Sequence, residues 1–209
     1  LPILQYSYVA DARMLPGAVH VRSDLLADFV ENICDEVGRN GFTKVVLLQG
    51  HGGNVTLDHG FMRRMLERDK PYLVYSIPVF AGKGDEIVRL MKSKELGHAC
   101  EFETSLNMVA CPQLVNLKAL KGDRHFPTYP LPDVGVTRTP LEWVAPHPAM
   151  AVGYPALGTA KKGEQVAEIW TQAVVRAIRQ IKADKLGPRV WADYNRKVRS
   201  VRRAVERVR

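Results

Sequence analysis

Hydrophobic and polar positions change period several times along the chain, and each change marks an element. Alternation over residues 3–8 predicts a strand. Pro16-Gly17 marks a turn. Ser23 is a good N-cap for a helix with Leu25, Leu26, Phe29, Val30, Ile33 and Val37 at helical spacing, closed by Asn40-Gly41. The apolar run Val45-Val46-Leu47-Leu48 predicts a buried strand. A glycine-rich turn follows, then a helix over residues 54–68, a break at Lys70-Pro71 and a second strand over 72–79. Strand, helix and strand at this spacing form a βαβ unit, which requires a parallel pair with a right-handed crossover.

Downstream, helices are expected over residues 85–92 and 99–110, and a short strand over 113–117. Residues 118–155 are rich in Pro and Gly with aromatic insertions, among them Trp143. That is too long for a plain connection, so it is expected to fold over an active-site mouth or a neighbouring subunit, with Trp143 buried there. Residues 161–182 have a helical apolar stripe, and Gly187-Pro188 is expected to end that helix.

Charge changes the picture at one end only. From Lys185 onward nine basic residues face Asp193 and Glu206, so this tail carries +7 of the formal net charge of +8. The expected organisation is one α/β domain over residues 1–184 and a basic helical tail over 185–209, with Val198, Val201, Val205 and Val208 along one side. The tail shows no nucleic-acid motif and little aromatic interleaving, so docking or solvation is expected rather than nucleic-acid binding. No apolar run reaches the ~20 residues of a membrane helix, and the first residues show no signal peptide. Three cysteines without CxxC spacing argue against a disulfide framework and for a reducing, cytoplasmic setting.

Two clusters carry the candidate chemistry. In Gly50-His51-Gly52-Gly53-Asn54 a histidine between glycines follows a strand, where α/β sheets place ligands. Anion binding at the helix start is the competing reading, weakened by the absence of GxGxxG spacing or a P-loop lysine. In His98-Ala99-Cys100-Glu101-Phe102-Glu103-Thr104-Ser105, Gly97 suggests that the helix begins after His98. His98 and Glu103 would then converge on one centre, as metal ligand or general acid. The alternative is that Glu101 and Glu103 simply suit a helix N-terminus. His20, His59, His125, His147 and Asp11 are weaker candidates.

These two clusters, in this order and separation, resemble the central signatures of the creatininase (creatinine amidohydrolase) family. So do Pro16-Gly17 and Gly158-Thr159-Ala160-Lys161-Lys162-Gly163. The resemblance covers roughly residues 1–182 and implies a three-layer α/β fold with a mostly parallel sheet flanked by helices. It further implies a homo-oligomer, usually a hexamer, and a two-metal centre of zinc, manganese or iron. The activity implied is metal-dependent hydrolysis of the C–N bond of a small-molecule amide or cyclic amide. By position His51 would be a metal ligand, His98 the proton shuttle and Glu103 a metal ligand or catalytic carboxylate. Gly52, Gly53, Asn54 and Trp143 would bind substrate. The family's remaining ligands, a Glu-x-His pair and an Asp, align upstream of Leu1, Cys100 replaces a usual glycine, and Gly53 replaces a ligand glutamate. Either an upstream segment supplies those ligands or the chain is a catalytically inactive structural homologue.

Overall fold

The computed structural model describes residues 1–120 and 139–208. It divides into two compact units. One comprises Leu1–Tyr8, Val19–Ala81 and Val174–Arg209; the other comprises Val9–Ala18 and Gly82–Ala173. No helix among the described residues is long and apolar enough to cross a membrane.

The first unit is built on the expected βαβ element. Strand β1 (Lys44–Leu48) and strand β2 (Leu73–Ile77) pair in parallel, Lys44 opposite Leu73 through Leu48 opposite Ile77. Helix α1 (Ser23–Arg39) precedes β1, and helix α2 (Asn54–Leu66) connects the strands. Cys34, Val45, Phe61, Met65 and Tyr72 form the core, with Val30, Val37, Leu47 and Val74 against it. Gly38 lets α1 lie on the Tyr72 ring, since a Cβ there would meet Tyr72 Cδ1 at 2.4 Å. Burial pushes the Cys34 thiol up to about 11, which makes it a packing residue, not a nucleophile.

Several expectations are corrected. Ser23 is the first helical residue; Arg22 holds the cap position without a side-chain cap bond and pairs with Asp24 at 3.1 Å. Residues 3–8 form no strand; Val21 N–H donates to Ser7 O at 3.1 Å, but no ladder forms. Leu25 and Phe29 face outward, so α1 carries a second apolar stripe. Gly187-Pro188 does not end helix α5 (Ala160–Ala183) but sits in the first turn of helix α6 (Leu186–Val208). A proline there loses only an N–H that has no helical partner.

The α5–α6 corner is fixed by polar bonds. The Lys44 ammonium donates to Ile181 O at 2.7 Å, to Lys182 O at 3.0 Å and to Asp184 O, satisfying carbonyls at a helix end where a cation is favoured. Asp184 Oδ1 accepts from Leu186 and Gly187 N–H at 2.8 and 3.0 Å and so caps α6. Tyr75 donates to its other oxygen at 2.8 Å.

The second unit contains helix α3 (Gly84–Leu90), helix α4 (Glu101–Ala110) and the first part of α5. The strand expected over 113–117 is absent. Single 3-10 turns, Pro112–Leu114 and Leu117–Ala119, take its place, the first set by a proline at its start. Gly163 allows α5 to touch α4, because a Cβ would stand 2.0 Å from Ser105 O. His125 and residues 121–138 of the long loop lie outside the described residues.

An ionic cluster in the first unit yields a pH prediction. Glu31 accepts from Lys70 at 2.9 Å and Arg64 at 2.6 Å; Asp35 accepts from Lys70 at 2.7 Å and Tyr72 OH at 2.6 Å. Burial alone would raise both carboxyl groups, but these donors outweigh it and hold them below their ordinary values of 4.5 and 3.8. A folded pKa below the unfolded one adds stability above the unfolded value, lost as pH falls through the folded value. Urea unfolding should therefore show stability dropping below about pH 4.5, and Glu31→Gln should lower the neutral plateau and flatten that acid limb.

Candidate active site

The glycine loop leaves β1 through Gln49, whose N–H bonds Ile77 O at 2.9 Å. The chain then turns through Asn54 N–H to His51 O at 3.2 Å and Val55 N–H to Gly52 O at 3.3 Å. Ser7 Oγ donates to Asn54 Oδ1 at 3.0 Å. Glycine is required at position 53 in this arrangement. The His51 imidazole lies over it, and a Cβ would meet His51 Nε2 at 2.5 Å. A longer residue at position 53 would have to displace that ring.

The second cluster lies in the other unit. Helix α4 starts at Glu101, so His98 sits in the loop leading into it, as the glycine at position 97 suggested. His98 Nδ1 lies 2.5 Å from Met150 O. A carbonyl can only accept, so Nδ1 carries the proton and Nε2 is left as a basic nitrogen. The backbone repeats the hold: Val152 N–H donates to His98 O at 2.7 Å, and Leu96 bridges Gly153 antiparallel. Ala99 and Met150 both adopt left-handed backbone, at φ 53° and 51°. Such strain in non-glycine residues persists only where surroundings over-determine it. Cys100 itself is extended at φ −89°, so nothing in this conformation needs glycine there.

Trp143 lies edge-on to His98, ring centres 6.4 Å apart, and packs on His147 at 4.6 Å. Its residue remains 36% exposed, so within the chain it is a half-open cover for His98, not a core residue. Glu103 Oε2 accepts from Ala99 N–H at 2.5 Å, the reach-back of a third-position carboxylate at a helix N-terminus.

Glu101 is the residue whose weight the sequence hid. It is fully buried and accepts from Lys92 N–H at 3.0 Å, Ser93 N–H at 2.7 Å and the Lys162 ammonium. Lys162 also donates to Leu157 O at 2.9 Å. Burial would raise the Glu101 carboxyl, but these donors outweigh it and lower it, so it stays ionised. The structure thus groups His98, Trp143, His147 and Met150, and links Glu103 to Ala99. His51 belongs to the first unit and His98 and Glu103 to the second. His147 was only a weaker candidate in the sequence and the Met150 carbonyl carries no sequence signal; Lys162 was visible only as part of the late signature.

The chain matches the family model of creatininase, described as creatinine amidohydrolase, over residues 1–178. It belongs to the creatininase family. A creatinine amidohydrolase of Pseudomonas putida is 27% identical over 198 residues, covering 86% of this chain and 74% of that protein. A mutant creatininase complexed with creatine superposes with a TM-score of 0.66 at 23% identity, covering 88% of this chain and 76% of that one. A manganese creatininase gives a TM-score of 0.63 at 24% identity, covering 86% and 74%. The fold is the creatininase-like α/β fold, and the family is one of amidohydrolases. Helix α6 starts at Leu186, beyond the family match.

The hold on His98 is testable. Gly153 has φ 113°, and a Cβ there would stand 2.5 Å from Glu95 O and 2.8 Å from Cys100 Cβ. Gly153→Ala should therefore cost about 2 kcal/mol or more in denaturant unfolding. In the unsubstituted protein, ¹⁵N chemical shifts of the imidazole should report the Nδ1–H tautomer of neutral His98; the Nε2–H tautomer would contradict the hydrogen bond to Met150 O.

Proposed function

We propose that this protein hydrolyses a non-peptide C–N bond, that of an amide or a cyclic amide such as creatinine, with His98 moving the proton. The observation that carries this reading is the His98 Nδ1 bond to Met150 O, which leaves proton exchange to Nε2, with the Trp143 ring centre 6.4 Å from the imidazole. Water attacks the carbonyl carbon while Nε2 accepts its proton. The imidazolium then returns that proton to the nitrogen as the C–N bond breaks. Trp143 would cover one face of a planar substrate at His98; Gly52, Gly53 and Asn54 are substrate-binding candidates by the family resemblance alone.

The family resemblance also brings a divalent metal to this reading, with His51 and Glu103 as the donors this chain offers. A catalytic zinc takes about three protein ligands. Among the described residues no group of three or more His, Cys, Asp or Glu could hold an ion, and Glu103 is engaged with Ala99 N–H. These residues by themselves do not fit the ion, and the proton path above runs through His98 alone. The same shortfall favours a second reading, a catalytically inactive structural homologue. Under the first reading we place the protein in the cytoplasm as a homo-oligomer acting on a small molecule, with Trp143 near the mouth of the site.

Ring opening of creatinine, followed with added manganese or zinc, separates the two readings. The active protein should lose about 10²- to 10⁴-fold in kcat on His98→Ala, with KM little changed. Trp143→Ala should raise KM more than it lowers the melting temperature. No turnover of creatinine or related cyclic amides by the unsubstituted protein would establish the inactive homologue instead.

A further inference from the structure

We infer that His147 is a positioning residue: its ring holds the Trp143 indole against His98, and so sets how a substrate lies on the proton-transferring imidazole. The substrate half of this inference rests on the hydrolytic reading above; the positioning half stands on geometry within the second unit. Residues 139–150 are built to carry the two rings. Ala145 N–H donates to Leu141 O at 2.9 Å, a single helical turn around Trp143, and the buried Ala145 and Met150 anchor the segment. His147 stands between Pro146 and Pro148. A proline fixes its own φ and restricts the residue before it, so the backbone around His147 has few conformations to lose.

Four residues close a circuit. His98 Nδ1 donates to Met150 O, and Met150 N–H donates to His147 O at 2.9 Å. Trp143 completes the other side. Its ring centre lies 6.4 Å from that of His98, with the planes at 74°, and 4.6 Å from that of His147, with the planes at 55°. The backbone bonds fix where the two histidines stand. They do not fix the indole, which is 36% exposed and can turn about its side-chain bonds unless other side chains stop it. His98 gives it one contact, at the longer distance. His147 gives the closer one, and two rings at different inclinations define the indole plane where either alone would not. Among the described residues the His147 imidazole makes no hydrogen bond or ion pair, so what it contributes is the ring contact itself.

The test compares His147→Ala, His147→Leu and His147→Phe with Trp143→Ala in the full chain. All keep the His147 carbonyl, so the His98 Nδ1–H tautomer should be retained, which ¹⁵N shifts verify. The readout is the ring-current shift that the indole imposes on the His98 Cε1 proton, taken with the imidazole neutral. Trp143→Ala removes that shift; His147→Ala and His147→Leu should remove most of it, and His147→Phe should keep it. With creatinine as the probe, the Ala and Leu variants should raise KM about 3- to 10-fold, the range an aromatic pair contributes, with kcat within about twofold of the unsubstituted protein. His147→Phe should restore KM. Leucine fills the volume without an aromatic face, so a Leu variant that keeps the proton shift would mean that bulk alone holds Trp143, and overturns the proposal. An unmoved His98 proton in His147→Ala overturns it too, as does a fall in kcat as large as that of His98→Ala. Absence of cyclic-amide turnover by the unsubstituted protein would sink the hydrolytic reading alone, and the proton shift would still decide whether His147 holds Trp143.

Discussion

A carboxylate removed from water must find its donors in the protein, and in the second unit Glu101 is that carboxylate. An uncompensated buried charge would cost several kcal/mol, so two backbone N–H groups and an ammonium must converge on it. That requirement ties residues 92 and 93 and the first turn of α5 to the start of α4. Ser105, one turn later, donates to Glu101 O at 2.6 Å and accepts from Thr159 N–H at 3.0 Å, which extends the tie. With the start of α4 held, the preceding loop has few conformations left, and His98 is presented from it. The left-handed Ala99 and Met150 are consequences of that confinement.

The first unit uses the same logic with different groups. Lys44 begins β1 and ends at the carbonyls closing α5; Asp184 follows those carbonyls and opens α6. A strand, a helix C-terminus and a helix N-terminus are thereby joined through two side chains. The apolar packing around Cys34 and Tyr72 supplies most of the stabilisation, but it is non-directional and would tolerate a range of helix placements. The polar bonds select one. This is why α6 starts on a defined line, with Trp191 and Asn195 anchored on Lys70 O.

The candidate site shows how one residue type serves two ends. Glu103 reads equally well as a metal donor or as a helix-start carboxylate, and in this chain its oxygen is on Ala99 N–H. Gly53 reads as a departure from the family pattern, and in the structure it is the space the His51 ring fills. Both facts concern where side chains point, which residue identity alone leaves open.

Elements whose periodicity is local were legible: the parallel βαβ pair, α1, α2, α4, α5, and a histidine placed before α4 by a glycine. So was the family, because its two signatures are short, ordered and chemically unusual. Where the reading failed, a nonlocal partner decided the outcome. Residues 3–8 alternate as a strand should, yet a strand forms only with a ladder neighbour. Gly187-Pro188 looks like a stop, yet Asp184 turns it into a start. By itself the sequence determined local conformational preference, the chemical inventory of the two clusters and the charge of the tail, since these depend on neighbours within a few residues. Tertiary structure alone decided that Glu101 is buried on Lys162 and that His98 donates through Nδ1 to Met150 O. Each depends on groups brought together across many residues, where burial and hydrogen-bond geometry, not propensity, set the free energy.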